Sequence, residues 1–215
     1  MKKVLVTRKL LRSCEDKASK LFNPHFNSND ELYSQKKLIE LSKGCDGILS
    51  SLTDKIDKET IEKLPETVKI ISNFAVGFGN IDIEAAKKRN IIVTNTPDVL
   101  TDATAEIAML LILGACRRAS EGMDWVKKEN WKWSADFLIG KQLTGSRLGI
   151  LGMGRIGRAL AKIAKSFGME IHYRNRTKLS NDKLSPITHL NKSLRGCILT
   201  SRRLHDCVYE CLIKF

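Results

Sequence analysis

Residues 148–158 read LGILGMGRIGR, and this stretch constrains the fold more than any other part of the chain. A short, largely apolar strand runs into a Gly-x-Gly-x-x-Gly spacing, and a helical pattern follows at Arg155–Phe167. We expect Gly152 to permit a tight turn, Gly154 to let the backbone approach a pyrophosphate, and Gly157 to let the helix pack closely on the strand. The helix N-terminus would present N–H groups and a positive dipole end to phosphates. The pattern predicts a nucleotide-binding βαβ unit; the alternative is an ordinary strand–turn–helix in an unrelated α/β domain.

The residues after the second predicted strand indicate which coenzyme is preferred. Sites for NAD usually place Asp or Glu on the ribose 2′-hydroxyl, about 20 residues past the first glycines. Here the segment contains Asn175, Arg176 and Thr177, and no acid precedes Asp182. Arg176 with the Thr177 hydroxyl would bind a 2′-phosphate, which a carboxylate would repel. The segment favours NADP(H) over NAD(H), with a solvated basic loop as the alternative.

Composition bounds the class of protein. The hydrophobic content of 42% is enough for a core, and no apolar run is long enough to cross a membrane. The basic start MKKVLVTRKL has an apolar stretch too short for a signal peptide and lacks a small-residue cleavage site. We therefore expect a cytoplasmic protein.

The net charge of +13 raises the possibility of nucleic-acid binding. From Arg174 onward there are nine Lys/Arg and three Asp/Glu, so nearly half of the excess lies in the last fifth of the chain. The other basic residues are interleaved with acids, and no aromatic-studded basic face is evident. We expect no specific nucleic-acid partner.

The six cysteines form no CxxC pair and no Cys/His spacing typical of zinc, so we predict no metal site. Cys14, Cys45 and Cys116 are expected to be reduced and semi-buried. The other three lie in the final 20 residues.

Strand-like and helix-like segments alternate, which predicts a parallel α/β architecture. The predicted strands are Val4–Thr7, Asp46–Ser50, Val68–Ser72, Ile91–Thr94, Leu148–Leu151 and Met169–Tyr173. The predicted helices are Ser13–Leu21, Asp30–Ser42, Lys58–Lys63, Ile83–Arg89, Ala103–Arg118 and Arg155–Phe167. Because Ala103–Arg118 is apolar almost all round, we expect it to be sandwiched between domains or subunits. Residues 121–145 read as a looser connection holding all three tryptophans, which would cover a domain edge or a subunit interface.

Four motifs then coincide. Residues 72–82 read SNFAVGFGNID, residues 92–97 read IVTNTP, and residues 102–106 read DATAE, ahead of the glycine spacing. In this order the motifs resemble the D-2-hydroxyacid dehydrogenase family, particularly its glyoxylate/hydroxypyruvate reductase branch, over about residues 1 to 180. The resemblance implies an α/β chain with a flavodoxin-like N-terminal substrate domain (1–98), a partial Rossmann nucleotide-binding domain (99–180) and a divergent basic tail (181–215).

The family's chemistry is hydride transfer between NAD(P)H and the carbonyl carbon of a small 2-keto acid, usually in a homodimer. By resemblance, the N–H groups of Val76 and Gly77 would hold the substrate carboxylate, and Ser51 and Leu52 would line the pocket. Thr104 would hydrogen-bond the coenzyme phosphate. Arg155 and Ile156 would supply N–H groups to the pyrophosphate.

The resemblance also implies a catalytic Arg, Glu and His further downstream. Residues 191–196, NKSLRG, imitate the arginine motif but have one residue too many and come too early, and His172, His189 and His205 lie in no matching motif. We assign no catalytic residue. We expect a C-terminally truncated product of a frame shift near Ser193–Arg195, with negligible turnover; the rival is a genuine divergent tail.

The predicted function is that of an NAD(P)-dependent oxidoreductase acting on a small 2-keto or 2-hydroxy acid. The alternative is a non-catalytic NAD(P)-binding or dimerisation module.

Overall fold

The computed structural model describes residues 1–128, 133–177, 179, 188–189 and 198–201. The chain divides into two compact units, Met1–Val99 and Leu100–Phe215. In the described part of each unit, the strands form one parallel β-sheet. Among the described residues, no helix is both long and apolar enough to span a bilayer.

Unit 1 alternates strands and helices. Its strands are β1 (Lys3–Val6), β2 (Asn23–Phe26), β3 (Gly47–Ser51), β4 (Ile70–Phe74) and β5 (Ile92–Thr94). Its helices are α1 (Arg12–Leu21), α2 (Gln35–Leu41), α3 (Lys58–Lys63) and α4 (Ile83–Lys88). The strand order β2–β1–β3–β4–β5, with every pair parallel, is that of flavodoxin-like folds. The predicted fold of the N-terminal domain is confirmed.

The core of unit 1 lies on the central strands. Leu5, Ile48 and Ile71 are fully buried there, one from each of β1, β3 and β4. Aspartate side chains cap the N-termini of two helices around this core. Asp57 accepts from the Thr60 N–H at α3, and Asp82 accepts from the Ala85 N–H at α4. These caps satisfy N–H groups that a first helical turn leaves without partners.

The structure differs from the sequence prediction in unit 1 at one strand, one helix start and one missed strand. The strand predicted at Val68–Ser72 is β4, Ile70–Phe74, because Val68 closes a turn in which its N–H donates to the Pro65 carbonyl. The helix predicted at Asp30–Ser42 begins only at Gln35, because Asp30 has φ +53° and Ser34 is the N-cap, its side chain accepting from Lys37. Strand β2 was not predicted, since its sequence NPHF contains a proline. Proline is tolerated there because β2 is an edge strand.

Unit 2 has a smaller sheet. Its strands are β6 (Arg147–Leu151), β7 (Glu170–Arg174), β8 (Thr188–His189) and β9 (Ile198–Ser201), and its helices are α5 (Thr101–Cys116), α6 (Ala119–Lys127) and α7 (Arg155–Ser166). The order β8–β7–β6–β9, all parallel, matches the first four strands of a Rossmann fold. The predicted nucleotide-binding fold is therefore confirmed.

Among the described residues of unit 2, two strands and one helix lie where the sequence predicted none. We expected no strand after β7, but β8 and β9 pair with β7 and β6; at two and four residues, they are too short to give a periodic signal. Helix α6 occupies the start of the segment predicted as a loose connection. It is separate from α5 because Arg118 adopts φ +52° between them.

Helix α5 supplies much of the core of unit 2. Its Ala108, Met109 and Ile112 belong to the same buried cluster as Leu160 and Ala164 of α7. Its other face is apolar but open, with Ile107 51% and Leu110 61% exposed. The expectation that a second layer covers this face stays a prediction.

The cysteines and tryptophans differ in part from expectation. Cys45 and Cys116 are buried free thiols, and burial raises the pKa of each, whereas Cys14 is exposed because α1 buries none of its residues. Trp125 packs edge-to-face on Phe137, with ring centroids 5.5 Å apart, and Trp133 is 77% exposed. Trp131 and the last three cysteines lie outside the described residues.

A bidentate ion pair connects the loop before α2 to the residues that follow β1. Arg8 donates from Nε and Nη2 to the two carboxylate oxygens of Asp30, at 2.8 and 2.9 Å, and the Lys9 N–H also donates to this carboxylate. These hydrogen bonds hold the pKa of Asp30 well below its ordinary value of 3.8.

We predict that Asp30→Asn lowers the melting temperature at pH 7 and that this difference from wild type shrinks as the pH falls. A carboxylate whose pKa is lower in the folded state than in the unfolded state stabilises the protein at pH values above the unfolded-state pKa. This stabilisation is lost as the carboxylate protonates at lower pH. Melting curves between pH 7 and pH 3 measure this, with Asp16→Asn on the exposed face of α1 as the charge-matched control. A difference between D30N and wild type that is unchanged at low pH would contradict the prediction.

Candidate functional site

The first candidate site lies at the carboxyl ends of β3 and β4. These strands are adjacent, with Ser51 paired to Phe74, so the loops that follow them start side by side. One loop carries Ser51 and Leu52, and the other carries Val76 and Gly77. The structure thus brings together the four residues that the resemblance assigned to the substrate. Leu52 is 67% exposed.

The turn after β4 has three successive carbonyls bound from within unit 1. The Ala75 carbonyl accepts from the Thr96 N–H at 2.9 Å. The Val76 carbonyl accepts from the Asn95 amide at 2.7 Å, and the Gly77 carbonyl accepts from the Asn73 amide at 2.9 Å.

The geometry of the peptide bond sets the direction of the N–H groups in this turn. In a trans peptide the N–H points opposite to the carbonyl of the preceding residue. The N–H groups of Val76, Gly77 and Phe78 therefore point away from Thr96, Asn95 and Asn73, respectively. Within the part of the chain that the structure describes, these three groups donate no hydrogen bond. Val76 is half-buried and Gly77 and Phe78 are exposed, and unpaired N–H groups at such positions are suited to an oxyanion such as a carboxylate.

Sequence reasoning missed the polar side chains that support the two loops. Asn73 is buried and Asn80 is half-buried, and they hydrogen-bond each other through Asn73 Nδ2 and Asn80 Oδ1 at 3.1 Å. Asp54 is also buried, and it accepts from the Ser51 N–H at 2.7 Å and from the Thr7 hydroxyl at 2.5 Å. Asn73 lies one residue beyond the predicted strand Val68–Ser72 but inside the observed β4, and a polar residue at the end of a predicted strand was the signal that could have indicated this network.

The second candidate site is the glycine loop between β6 and α7. Gly152 has φ +102°, a conformation that favours glycine. A Cβ on Gly157 would lie 2.6 Å from the Gly152 carbonyl oxygen, so only glycine lets α7 approach the loop this closely. A Cβ on Gly154 would meet no atom within 4 Å, so this position is open to a ligand. Gly154 is also the N-cap of α7, where no side chain caps the helix.

The end of β7 is bonded to this loop. The Gly152 N–H donates to the Arg174 carbonyl at 3.0 Å, and the Met153 N–H donates to Asn175 Oδ1 at 2.7 Å. Arg176 and Thr177 follow and are exposed. Asn175, predicted to contact the ribose end of the coenzyme, is therefore hydrogen-bonded to the glycine loop that is predicted to contact the pyrophosphate.

The remaining predicted coenzyme residues lie on helix N-termini of unit 2. Arg155 and Ile156 form the first turn of α7 beside the glycine loop. Thr104 lies in the first turn of α5, where its hydroxyl donates to the Leu100 carbonyl at 2.6 Å. This hydroxyl would have to leave Leu100 in order to donate to a phosphate.

Comparison with known proteins identifies the family. Residues 4–210 match the family described as D-isomer specific 2-hydroxyacid dehydrogenase, catalytic domain. The chain belongs to this family. The resemblance seen in the four sequence motifs is thereby confirmed.

Three relatives illustrate the similarity of this dehydrogenase-family chain. It is 42% identical over 181 residues to the glyoxylate reductase of Thermococcus litoralis, covering 82% of this chain and 54% of that protein. It is 41% identical over 173 residues to the glycerate dehydrogenase of Hyphomicrobium methylovorum, covering 80% and 54%. The crystal structure of a glyoxylate reductase from Paecilomyes thermophila superposes with a TM-score of 0.72 at 30% identity, covering 88% of this chain and 60% of that one. The chain spans about half the length of the curated relatives it matches.

The family's downstream catalytic groups have no assigned counterpart here. His172 lies on β7, with Nε2 3.7 Å from a Glu170 carboxylate oxygen. Residues 191–197, including the segment that imitates the arginine motif and the predicted frame shift, lie outside the described residues, as does His205. Where the structure does describe the chain, no group of three or more His, Cys, Asp or Glu side chains could hold a metal ion.

We predict that Gly157→Ala destabilises unit 2 by about 1–3 kcal/mol, because its Cβ would overlap a backbone oxygen that cannot move without deforming the loop. Gly114→Ala is the matched control: this helical glycine of α5 has open space around its Cβ, and alanine there should stabilise by about 0.5–1 kcal/mol. Urea unfolding followed by tryptophan fluorescence reports on unit 2, which contains all three tryptophans. Equal stability of G157A and wild type would show that the close approach is not required.

Proposed function

We propose that this chain carries the coenzyme-binding and carboxylate-binding parts of an NAD(P)H-dependent reductase of small 2-keto acids, of the glyoxylate or hydroxypyruvate type. The observation that carries the proposal is the glycine loop with an open Gly154 at an uncapped helix start, in a chain of the D-isomer specific 2-hydroxyacid dehydrogenase family. The names of the relatives, glyoxylate reductase and glycerate dehydrogenase, support the substrate class.

The glycine loop fits a dinucleotide. The pyrophosphate would lie over Gly154, where no side chain occupies the space, and the N–H groups of Arg155 and Ile156 in the first turn of α7 would donate to it. Thr104 would add a hydroxyl donor. When bound, the nicotinamide supplies the hydride for reduction.

The carboxylate of the keto acid would bind at the turn after β4. Val76 and Gly77 would donate their N–H groups to its oxygens, and Ser51 and Leu52 would form the neighbouring wall. Because the carbonyls of this turn are already bound on the other side, little reorganisation is needed when the anion arrives. The turn therefore orients the substrate.

Preference for NADP(H) is supported by the orientation of the Asn175 amide. Asn175 Oδ1 accepts from the Met153 N–H, so the group left for a ligand is the Nδ2 donor. A donor suits a 2′-phosphate, whereas a ribose hydroxyl is best held by a carboxylate acceptor. Arg176 would add a charge-assisted hydrogen bond, and Thr177 a hydroxyl.

The proposal predicts that the purified chain binds NADPH more tightly than NADH, and that Arg176→Ala weakens only NADPH. A hydrogen bond between charged groups contributes about 1.5–3 kcal/mol, so we expect a loss of about tenfold or more for NADPH. Titration followed by nicotinamide fluorescence measures both dissociation constants.

Arg147→Ala is the control for this titration. It removes the same charge from the start of β6, at the end of the strand away from the glycine loop, and should leave both affinities unchanged. If wild type binds neither coenzyme, the proposed function fails. If R176A weakens NADPH and NADH equally, the assignment of Arg176 to the 2′-phosphate fails.

We further predict that Asn175→Asp reverses the coenzyme preference while keeping the loop intact. Aspartate keeps an acceptor for the Met153 N–H, and its second oxygen would accept from a ribose hydroxyl and repel a 2′-phosphate. The ratio of the NADPH and NADH dissociation constants should shift by about tenfold or more towards NADH. Asn175→Leu, which cannot accept from Met153, should instead weaken both coenzymes; an unaltered NADH affinity in N175L would contradict the role of this hydrogen bond.

A homodimer and a cytoplasmic location stay predictions. The open apolar face of α5, with Ile107 and Leu110, supports the first.

A further inference from the structure

The side-chain amide of Asn73 is buried in the sheet of unit 1, and both its nitrogen and its oxygen make hydrogen bonds. It lies on β4 and is 1% exposed. Its Nδ2 donates to the Gly77 carbonyl at 2.9 Å and to Asn80 Oδ1 at 3.1 Å, and its Oδ1 accepts from the Ser50 hydroxyl at 3.0 Å. Burial of an amide is unfavourable unless such hydrogen bonds are made, so this arrangement is strongly determined.

Asn80 extends the connection to the neighbouring loop. Its Nδ2 donates to the Ser51 carbonyl at 3.1 Å and to the Asp54 carbonyl at 3.0 Å. The Asn73–Asn80 pair therefore joins the turn after β4 to the loop after β3. A displacement of either loop would break hydrogen bonds to the other.

The peptide between Gly77 and Phe78 has little else to fix its direction. Gly77 is exposed, and a Cβ built on it would meet no atom within 4 Å, so packing does not restrain this residue. Glycine also has wide conformational freedom. The hydrogen bond from Asn73 to the Gly77 carbonyl is what holds this carbonyl inward and the Phe78 N–H outward.

We infer that Asn73 is a positioning residue that makes the Phe78 N–H a third donor to the substrate carboxylate, with Asn80 coupling this turn to the Ser51 loop. The inference rests on the proposed function. If the Gly77–Phe78 peptide turned over, it would present its carbonyl to the anion in place of its N–H. Asn73 therefore determines whether this position attracts or repels a carboxylate.

The test compares Asn73→Asp with Ser50→Ala in the full chain. N73D has nearly the same shape but cannot donate, and its carboxylate would repel the Gly77 carbonyl oxygen. S50A is the matched control, because it removes a buried hydrogen bond to the same Asn73 without touching Gly77. Oxalate is the probe, since it is an unreactive analogue of a 2-keto acid carboxylate. Its binding is followed through the backbone amide signals in ¹⁵N-resolved NMR spectra, with sodium chloride of equal ionic strength as the blank.

In wild type, oxalate should shift the amide signals of Val76, Gly77 and Phe78 with one common dissociation constant. N73D should weaken oxalate binding about tenfold or more, whereas S50A should stay within about twofold of wild type. Coenzyme affinity, measured in unit 2, should be unchanged in both variants. A general loss of structure would instead lower the affinity for oxalate and the affinity for the coenzyme together, and it would affect N73D and S50A alike.

A second measurement needs no ligand. Amide order parameters of Gly77 and Phe78, from ¹⁵N relaxation, should fall in N73D and stay at wild-type values in S50A.

Unchanged order parameters together with unchanged oxalate binding in N73D would overturn the inference and leave the proposed function standing. If the wild-type chain binds no oxalate, the proposed carboxylate site is overturned. The order parameters then still show whether Asn73 fixes the Gly77–Phe78 peptide. If N73D does not fold, the wild-type titration decides: a Phe78 signal that does not move with those of Val76 and Gly77 overturns the third donor.

Discussion

Parallel strand pairing is the constraint on which both candidate sites depend. In a parallel sheet all carboxyl ends lie at one edge, and backbone groups that pass this edge lose their ladder partners. At β3 and β4 the freed N–H groups belong to the turn 76–78, and at β6 they belong to the glycine loop and the first turn of α7. Ligand sites in open α/β sheets are expected at such edges. In the proposed function, the two units use the same property of the backbone to bind two different anions, the substrate carboxylate and the coenzyme pyrophosphate.

The two sites restrict their backbones by different means. In the glycine loop, steric exclusion sets the shape, since Gly152 needs a positive φ and Gly157 leaves no room for a Cβ. In the turn after β4, Gly77 is sterically free, and side-chain amides on the inner side hold the carbonyls. The first device can be read from glycine spacing alone. The second needs residues that are distant in sequence, such as Asn95, to fold against the turn.

This difference explains how much of the structure the sequence could predict. The helix at Lys58–Lys63 was predicted with its observed bounds because Pro65 follows it, and the structure shows Asp57 as its N-cap. The βαβ unit around Gly152 was predicted from local spacing. Strands β2 and β8 escaped prediction because their pairing partners, and not their own short sequences, make them strands. Asn73 lay inside the SNFAVGFGNID motif but was given no role, since its bond to Ser50 exists only after β3 and β4 have paired, and its bonds to Gly77 and Asn80 exist only after the turn has formed.

Pro24 on the edge strand β2 has a consequence for association. The Asn23 N–H donates to the Lys2 carbonyl on the β1 side, so the alternation of a strand turns the backbone nitrogen of Pro24 towards the open edge. That nitrogen carries no hydrogen, and a foreign strand aligned along this edge would meet a missing donor in the middle of a four-residue ladder. Pro24, which kept β2 from being predicted as a strand, thus also disfavours extension of the sheet by addition of another strand.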